Sequence, residues 1–353
     1  MMHVASRERM RGFGLVEILV AMLIGMFGVL IMTQVLTVSE EQKRTTTTGN
    51  DAMNEGVLAL YAVQSDIRMA GYGISDPKIL GCGLTLRAGV VLGALAPVVL
   101  NSANITGADA NTDTVLVFGS NNFNTPQGVP VTAAGNVVQT PTAFAVNDWV
   151  VYAPAVRPAP CNLTVDRVSN VAAGVVTLAS GSAMAAGGTL FNLGQSYRVQ
   201  GYAIRNRNLT TCDYTNAGVD CSTAANWNAI ANNIPSMRAQ YGRDTTAPAM
   251  DAIVDIYDQS TPNAALTPNT LCAWSRISAV RLVLVARSAQ MERNPVTAAA
   301  PSWDGAIADN PPGSVTAPIV LTGDGDWQSY RYRSFESLVP IRNMAWMGVV
   351  TGC

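Results

Sequence analysis

The stretch from residue 13 to residue 38, FGLVEILVAMLIGMFGVLIMTQVLTV, limits this chain more than any other feature, because it is apolar almost throughout. As a helix it extends roughly 39 Å at about 1.5 Å per residue, enough to cross a bilayer with some tilt. It holds no proline and a single charge, Glu17. Arg7, Arg9 and Arg11 precede it with Glu8 among them, whereas Lys43 and Arg44 behind it are offset by Glu40 and Glu41. The positive-inside bias keeps the N-terminus in the cytoplasm and sends the remainder outward. A cleaved secretory signal has an apolar core of about 7–15 residues and a small-residue exit, which this run lacks. A plain anchor leaves Glu17 unexplained, since an unpaired carboxylate in a membrane helix costs roughly 2–3 kcal/mol.

The string Arg11-Gly12-Phe13-Gly14-Leu15-Val16-Glu17 resembles the processing site of type IV prepilins: a short basic leader, a glycine, a phenylalanine, and a glutamate at the fifth mature position. The resemblance implies cleavage by prepilin peptidase between Gly12 and Phe13, methylation of the new Phe13 amine, and pairing of Glu17 with a neighbouring subunit's N-terminal amine during assembly. Gly14 replaces the family's usual threonine, and Gln34 stands where many major pilins have a helix-kinking proline.

Beyond the apolar run, Met53, Val57, Leu60, Tyr61, Gln64 and Ile67 follow a three-and-four spacing that predicts a helical face toward a soluble domain. Thr45 to Thr48 and Gly49 are poor helix formers, which predicts a bend or local melting there. Gly71, Gly73 and Asp76-Pro77 predict the helix end. The rest reads as strands, among them residues 114–118, 149–152, 175–178, 197–204, 277–287 and 330–341. Stretches 90–112 and 126–141 read as surface excursions. The expected organisation is a leader at 1–12, a transmembrane helix at 13–38, the helix's soluble half at 39–75, and a β-rich periplasmic domain at 76–353.

A narrower resemblance lies in Asp66-Ile67-Arg68-Met69-Ala70-Gly71-Tyr72-Gly73, Gly81-Cys82, Gln240-Tyr241-Gly242-Arg243-Asp244, Val280-Arg281-Leu282, Ala286-Arg287-Ser288 and Val339-Pro340-Ile341-Arg342-Asn343. These segments resemble PilW-type minor pilins of the type IV pilus. The resemblance implies an α+β pilin-like fold whose long N-terminal helix packs on an antiparallel sheet. It also implies a subunit that primes pilus assembly and sits at the tip, serving twitching motility and cell adhesion. Its partners would be other minor pilins, the major pilin, prepilin peptidase and the inner membrane, with a tip adhesin as a further candidate. A pseudopilin of type II secretion and a tip adhesin or DNA receptor are the rival readings.

No catalytic site, metal or cofactor is expected. His3 is the only histidine and lies in the expected leader, so a mature chain lacks the imidazole that triads and many zinc sites need. Lys43 and Lys78 are the only lysines, and no run of basic residues marks nucleic acid as a default partner. Asp324-Gly325-Asp326 lacks the closing acid of a calcium loop and reads as a solvated turn, and Asp251, Asp255 and Asp258 form an acidic cluster. In Tyr330-Arg331-Tyr332-Arg333, period two predicts a strand with a wet arginine face. Cys82, Cys161, Cys212, Cys221, Cys272 and Cys353 lie on the outward side, where disulfides persist. Fifteen pairings are open to them, and sequence alone does not choose. The preferred set joins Cys212 to Cys221, Cys82 to Cys161, and Cys272 to Cys353.

Overall fold

A computed structural model of the chain describes residues 14–120, 127–262, 270–323, 325–345, 350 and 353. The backbone is helical from Leu15 to Met69 (α1), so the melting expected at residues 45–49 does not occur. Two compact units divide the chain, Met1–Asn50 and Asp51–Cys353. In the first, Leu15–Glu40 has a mean hydropathy of 2.6 and no buried residue, as suits a helix whose surroundings are lipid.

The second unit takes in the end of α1 and seventeen strands among the described residues. Four short strands follow the helix: β1 (Gly83–Arg87), β2 (Val90–Leu92), β3 (Val98–Leu100) and β4 (Val115–Gly119). Six more come next: β5 (Val129–Ala133), β6 (Val137–Val138), β7 (Trp149–Ala153), β8 (Asn162–Ala172), β9 (Val175–Leu178) and β10 (Thr189–Gly194). Then come β11 (Arg198–Arg205), β12 (Asn208–Asp213) and β13 (Asn228–Ala231). The last four are β14 (Ser236–Arg243), β15 (Ile256–Asp258), β16 (Ile277–Arg287) and β17 (Tyr332–Pro340), with short helices α2 (Thr270–Ser275) and α3 (Arg342–Ala345) beside them.

Three sheets result. An antiparallel sheet of order β15-β14-β16-β17 and another of order β13-β12-β11-β4-β3 share the main core. The third sheet runs β2-β1-β8-β7-β10-β5-β6-β9, and an added β8–β9 pairing closes its last six strands into a barrel. In place of the surface excursions expected at 90–112 and 126–141 stand β2, β3, β5 and β6, the last two in the barrel wall. The barrel is inserted between β4 and β11, which pair with each other from Gly119↔Arg198 to Val115↔Tyr202. Its interior is a separate cluster around Val150, Val168 and Leu190, while the next residues along the same strands, Val151 and Phe191, face the main core. One wall is thus buried on both sides, which is why β10 shows no polar–apolar alternation.

The helix meets the main core through only part of the expected face: Ile67 is buried and Leu60 packs against the core, but smaller residues take the rest of the contact. Ala52, Ala59, Val63 and Ile67 are buried, whereas Met53, Val57 and Tyr61 are 45%, 52% and 63% exposed. Small residues win because the backbone comes close: a Cβ on Gly56 would stand 2.1 Å from the Phe335 ring of β17. Behind this contact, β16 is buried on both faces. Val280, Leu282, Leu284 and Ala286 join the main core; Val283 and Val285 pack on the opposite side against Trp303, Ile319 and Leu321.

Candidate assembly surface

Gly12 and Phe13, the expected cleavage and methylation positions, lie outside the described residues. Glu17 sits in the first turn of α1, exposed, with its backbone N–H donating to the Gly14 carbonyl at 2.9 Å. A carboxylate in the first turn complements the positive end of the helix dipole. That effect fades within one turn, so a carboxylate in an apolar phase still calls for a partner.

At its other end α1 is locked by residues far away in sequence. Asn343 donates from its side-chain amide to the carbonyls of Met69 (3.2 Å) and Ala70 (2.8 Å), satisfying helix-end acceptors that otherwise lack partners. The Ser75 hydroxyl donates to the Asn343 carbonyl at 3.1 Å. Gly71 adopts φ +84° and donates its N–H to the Phe118 carbonyl at 2.9 Å. A Cβ there would stand 2.8 Å from Pro97, so a left-handed residue without a side chain is required twice over. Asp66, about one helical turn before this end, accepts a 2.5 Å hydrogen bond from Tyr202 of β11. Burial, and next the negative charge of Asp66, hold that phenol protonated far above its usual range.

The neighbouring strands carry the other polar contacts. Arg243 of β14 binds both carboxylate oxygens of Asp258 at 2.9 Å. Tyr241 is wholly buried, accepts from the Leu100 N–H at 2.6 Å, and has its hydroxyl pushed up to about 12 by desolvation. Arg281 lies over the Tyr257 ring at 4.0 Å and donates to Gln240 at 2.8 and 3.0 Å. Asp255 accepts from the Thr245 N–H at 2.7 Å, so the expected cluster with Asp251 and Asp258 is broken into separate loop contacts. The strand at the C-terminal side begins at Tyr332. Tyr330 and Arg331 fall before it, and Arg331 binds Glu292 at 3.1 Å, which corrects the expected arginine face. Asp324 lies outside the described residues.

Three disulfides are present: Cys82–Cys161, Cys212–Cys221 and Cys272–Cys353. The first ties β1's approach to that of β8, beside their parallel pairing at Gly83↔Asn162. The third holds the chain end beside α2, where Arg276 donates to the Cys353 carbonyl.

The segments that meet at the helix end and in the sheet beneath it lie mostly in one part of the chain, and that part has known relatives. Residues 199–343 match the family model of PilW, described as Type IV Pilus-assembly protein W. This stretch is similar to PilW. It runs from β11 through all of β14, β15, β16 and β17 to Asn343, and so holds the sheet against which α1 packs. The barrel lies outside it. No curated protein matches the sequence. Among solved structures, a type IV-like pilin from Thermus thermophilus aligns at 12% identity and a TM-score of 0.34, covering 83% of this chain and 96% of its own.

Three features of the surface go beyond the sequence expectations: the barrel, the Gly56–Phe335 contact, and the outward Met53–Val57–Tyr61 face. The last has a signal in the sequence. Ala52, Gly56, Ala59 and Val63 repeat at three and four as regularly as the larger residues do, and small residues mark close backbone approach.

Proposed function

We propose that the chain is a minor pilin: a non-catalytic subunit that enters a type IV pilus through α1 and primes assembly at the tip. The match of residues 199–343 to PilW carries this reading, and the apolar N-terminal helix with Glu17 supports it. In the proposed sequence of events, prepilin peptidase cuts between Gly12 and Phe13, and the Phe13 amine is methylated. Glu17 of one subunit then pairs with the N-terminal amine of its neighbour, neutralising two charges that lipid would leave bare. The outward face with Met53, Val57 and Tyr61 supplies apolar surface for neighbouring subunits once the helices are gathered. The domain then stands in the periplasm before assembly and at the cell surface afterwards.

Glu17→Leu tests the proposal. A plain anchor is unharmed by the change, since it removes a charge costing roughly 2–3 kcal/mol in lipid. A minor pilin keeps its membrane level but initiates fewer pili, because the neighbouring amine loses its partner. Surface pilus counts and twitching motility, with membrane protein checked by blot, decide between them. Normal piliation at normal protein level overturns the assembly role.

A further inference from the structure

The last strand of the sheet that carries α1 is paired on one side and open on the other. In the order β15-β14-β16-β17, only β16 borders β17. The Ile341 N–H donates to the Ser278 carbonyl at 2.8 Å, and the Ser288 N–H to the Arg331 carbonyl at 2.9 Å. These bonds extend, at its two ends, the register that runs from Ala279↔Pro340 to Arg287↔Tyr332. Directly opposed residues of an antiparallel pair alternate between bonded and non-bonded. Arg333, Phe335, Ser337 and Val339 therefore turn their N–H and C=O groups toward β16. Ser334, Glu336 and Leu338 turn theirs outward, where they have no hydrogen-bond partner among the described residues. Pro340, with no N–H to satisfy, falls in the outward set too, as a proline on a free edge should.

Proteins guard such edges with lysines, bulges or very short strands. β17 has no lysine, and its register with β16 runs through nine positions without a shift. The side chains beside the edge are also uncovered. β17 runs in the same direction as α1: Gly56 meets Phe335, Gln64 accepts from the Ser337 hydroxyl at 3.2 Å, and Asn343 caps Met69. Steps of three and four residues put Met53, Val57 and Leu60 on the Gln64 flank of the helix, next to β17. The opposite flank is already tied down, by Glu55 to the Asn232 N–H and by Asp66 to Tyr202. Exposed Met53 and Val57 thus overhang one face of the open edge, and Leu338, 54% exposed, stands on the other. Arg333 is exposed and has no carboxylate partner among the described residues.

We propose that β17 accepts one more strand: an extended segment of a different pilin-type subunit, laid antiparallel to β17 and apolar on both faces. Its backbone completes the bonds that Ser334, Glu336 and Leu338 leave open, which is recognition by strand addition. Its side chains cover Met53 and Val57 on one face and Leu338 on the other, and an acid on it pairs with Arg333. The β17 of a second copy does not fit, because this sheet is antiparallel throughout. Two β17 strands paired in that sense would point their α1 helices in opposite directions, which entry into one membrane from one side forbids. The inference rests on the pilus reading and adds to it the kind of partner and the mode of contact.

The test replaces Leu338 by the photocrosslinker p-benzoylphenylalanine in the full chain, expressed in piliated cells, and identifies the attached protein by mass spectrometry. The expected product is a different subunit with a prepilin-type N-terminal helix. Glu336→Pro in the same chain should lower its yield about tenfold, since the change deletes an outward N–H and sets a ring in the path of the added strand. Glu336→Ala keeps the N–H and should leave the yield within about twofold. A proline whose N–H would face outward is tolerated on an edge, so the two variants should melt at similar temperatures. Ser334→Pro repeats the test at a second outward position. No attachment, attachment only to a second copy or to a protein without such a helix, or equal yields from the proline and alanine variants overturns the proposal. So does failure of both proline variants to fold, which would place those N–H groups inside the fold. Glu17→Leu reports on the pilus reading through pilus counts; fewer pili there with no attachment at position 338 discards the added strand alone.

Discussion

The sheet that carries α1 and the barrel are both antiparallel β-structures in one unit, yet they hold together in different ways. In the sheet, β16 pairs with β17 at nine positions and with β14 at eight. In the barrel, β5 meets β10 at two positions and β6 meets β9 only at Val137↔Val175. Long ladders bring many side-chain pairs into contact at once, so the sheet is stable through repetition. The barrel gains its closure from a few short pairings, a compact interior and the wall it shares with the main core. Short pairings leave it dependent on attachments, and the Cys82–Cys161 bridge is one of these.

The largest expected effect comes from removing that attachment. Cys82 and Cys161 are 79 residues apart, Cys212 and Cys221 only 9. On the chain-entropy account the long loop is worth about 4.5 kcal/mol and the short one about 2.7 kcal/mol. The double substitution Cys82→Ser with Cys161→Ser should therefore lower stability more than Cys212→Ser with Cys221→Ser. Thermal melts of the full chain in detergent give the order. Equal losses would show that the barrel does not lean on its bridge.

The next largest effect compares the two interiors. Leu284 of β16 and Leu178 of β9 are both buried, and either leucine-to-alanine change costs about 3 kcal/mol. The consequences should spread differently. Leu284→Ala should raise amide exchange through β14, β16 and β17 together, because one ladder links them. Leu178→Ala should raise it mainly in β5, β6 and β9, leaving β14 and β16 protected. Exchange that rises uniformly in both variants would show a single cooperative unit and end the contrast.

The same difference explains what the sequence discloses. The residues 277–287, ISAVRLVLVAR, are legible as a central strand because burial on both faces forces a long apolar run. Gly71 and Gly73 mark the helix end because both adopt positive φ. Barrel closure leaves no comparable local mark: β6 is two residues long, and which strands it joins depends on partners far along the chain. Strands at 149–152 and 175–178 can be read from their apolar runs, but a ring cannot be read from its separate pieces. Ile67 and Leu60 of the expected helix face do meet the core, whereas the rest of that face misleads for another reason. Met53, Val57 and Tyr61 are the larger apolar residues, so size assigns burial to them, whereas close approach to Phe335 favours Ala52, Gly56 and Ala59. As for site residues, Glu17 stands out as a lone charge in an apolar run.

The smallest predicted effect sits where the two core sheets meet, at Asp113, and its sign is the informative part. The carboxylate accepts from the Ala239 N–H at 2.9 Å, from Asn101 at 3.1 Å and from Gln259 at 2.5 Å, and Arg238 lies 3.4 Å away. Only 5% of the side chain is exposed. Burial raises its pKa above the usual 3.8, outweighing the lowering by Arg238 and the hydrogen bonds. A group whose folded pKa is raised contributes stability in full below its unfolded pKa and loses it as pH rises through the folded value. Asp113→Asn removes the titration and keeps one acceptor oxygen for the Ala239 N–H. The unaltered chain should therefore hold its greatest advantage over the Asn variant in acid, and that advantage should shrink as pH rises above the usual 3.8. If pairing with Arg238 governed the site instead, the folded pKa would be lowered, and the advantage would grow as pH rises toward the usual 3.8 and stay level above it. Thermal midpoints of both proteins at constant ionic strength separate the cases. A difference that grows with pH would make this junction an ion pair first and a buried acid second, with Arg238 and not desolvation setting the charge of Asp113.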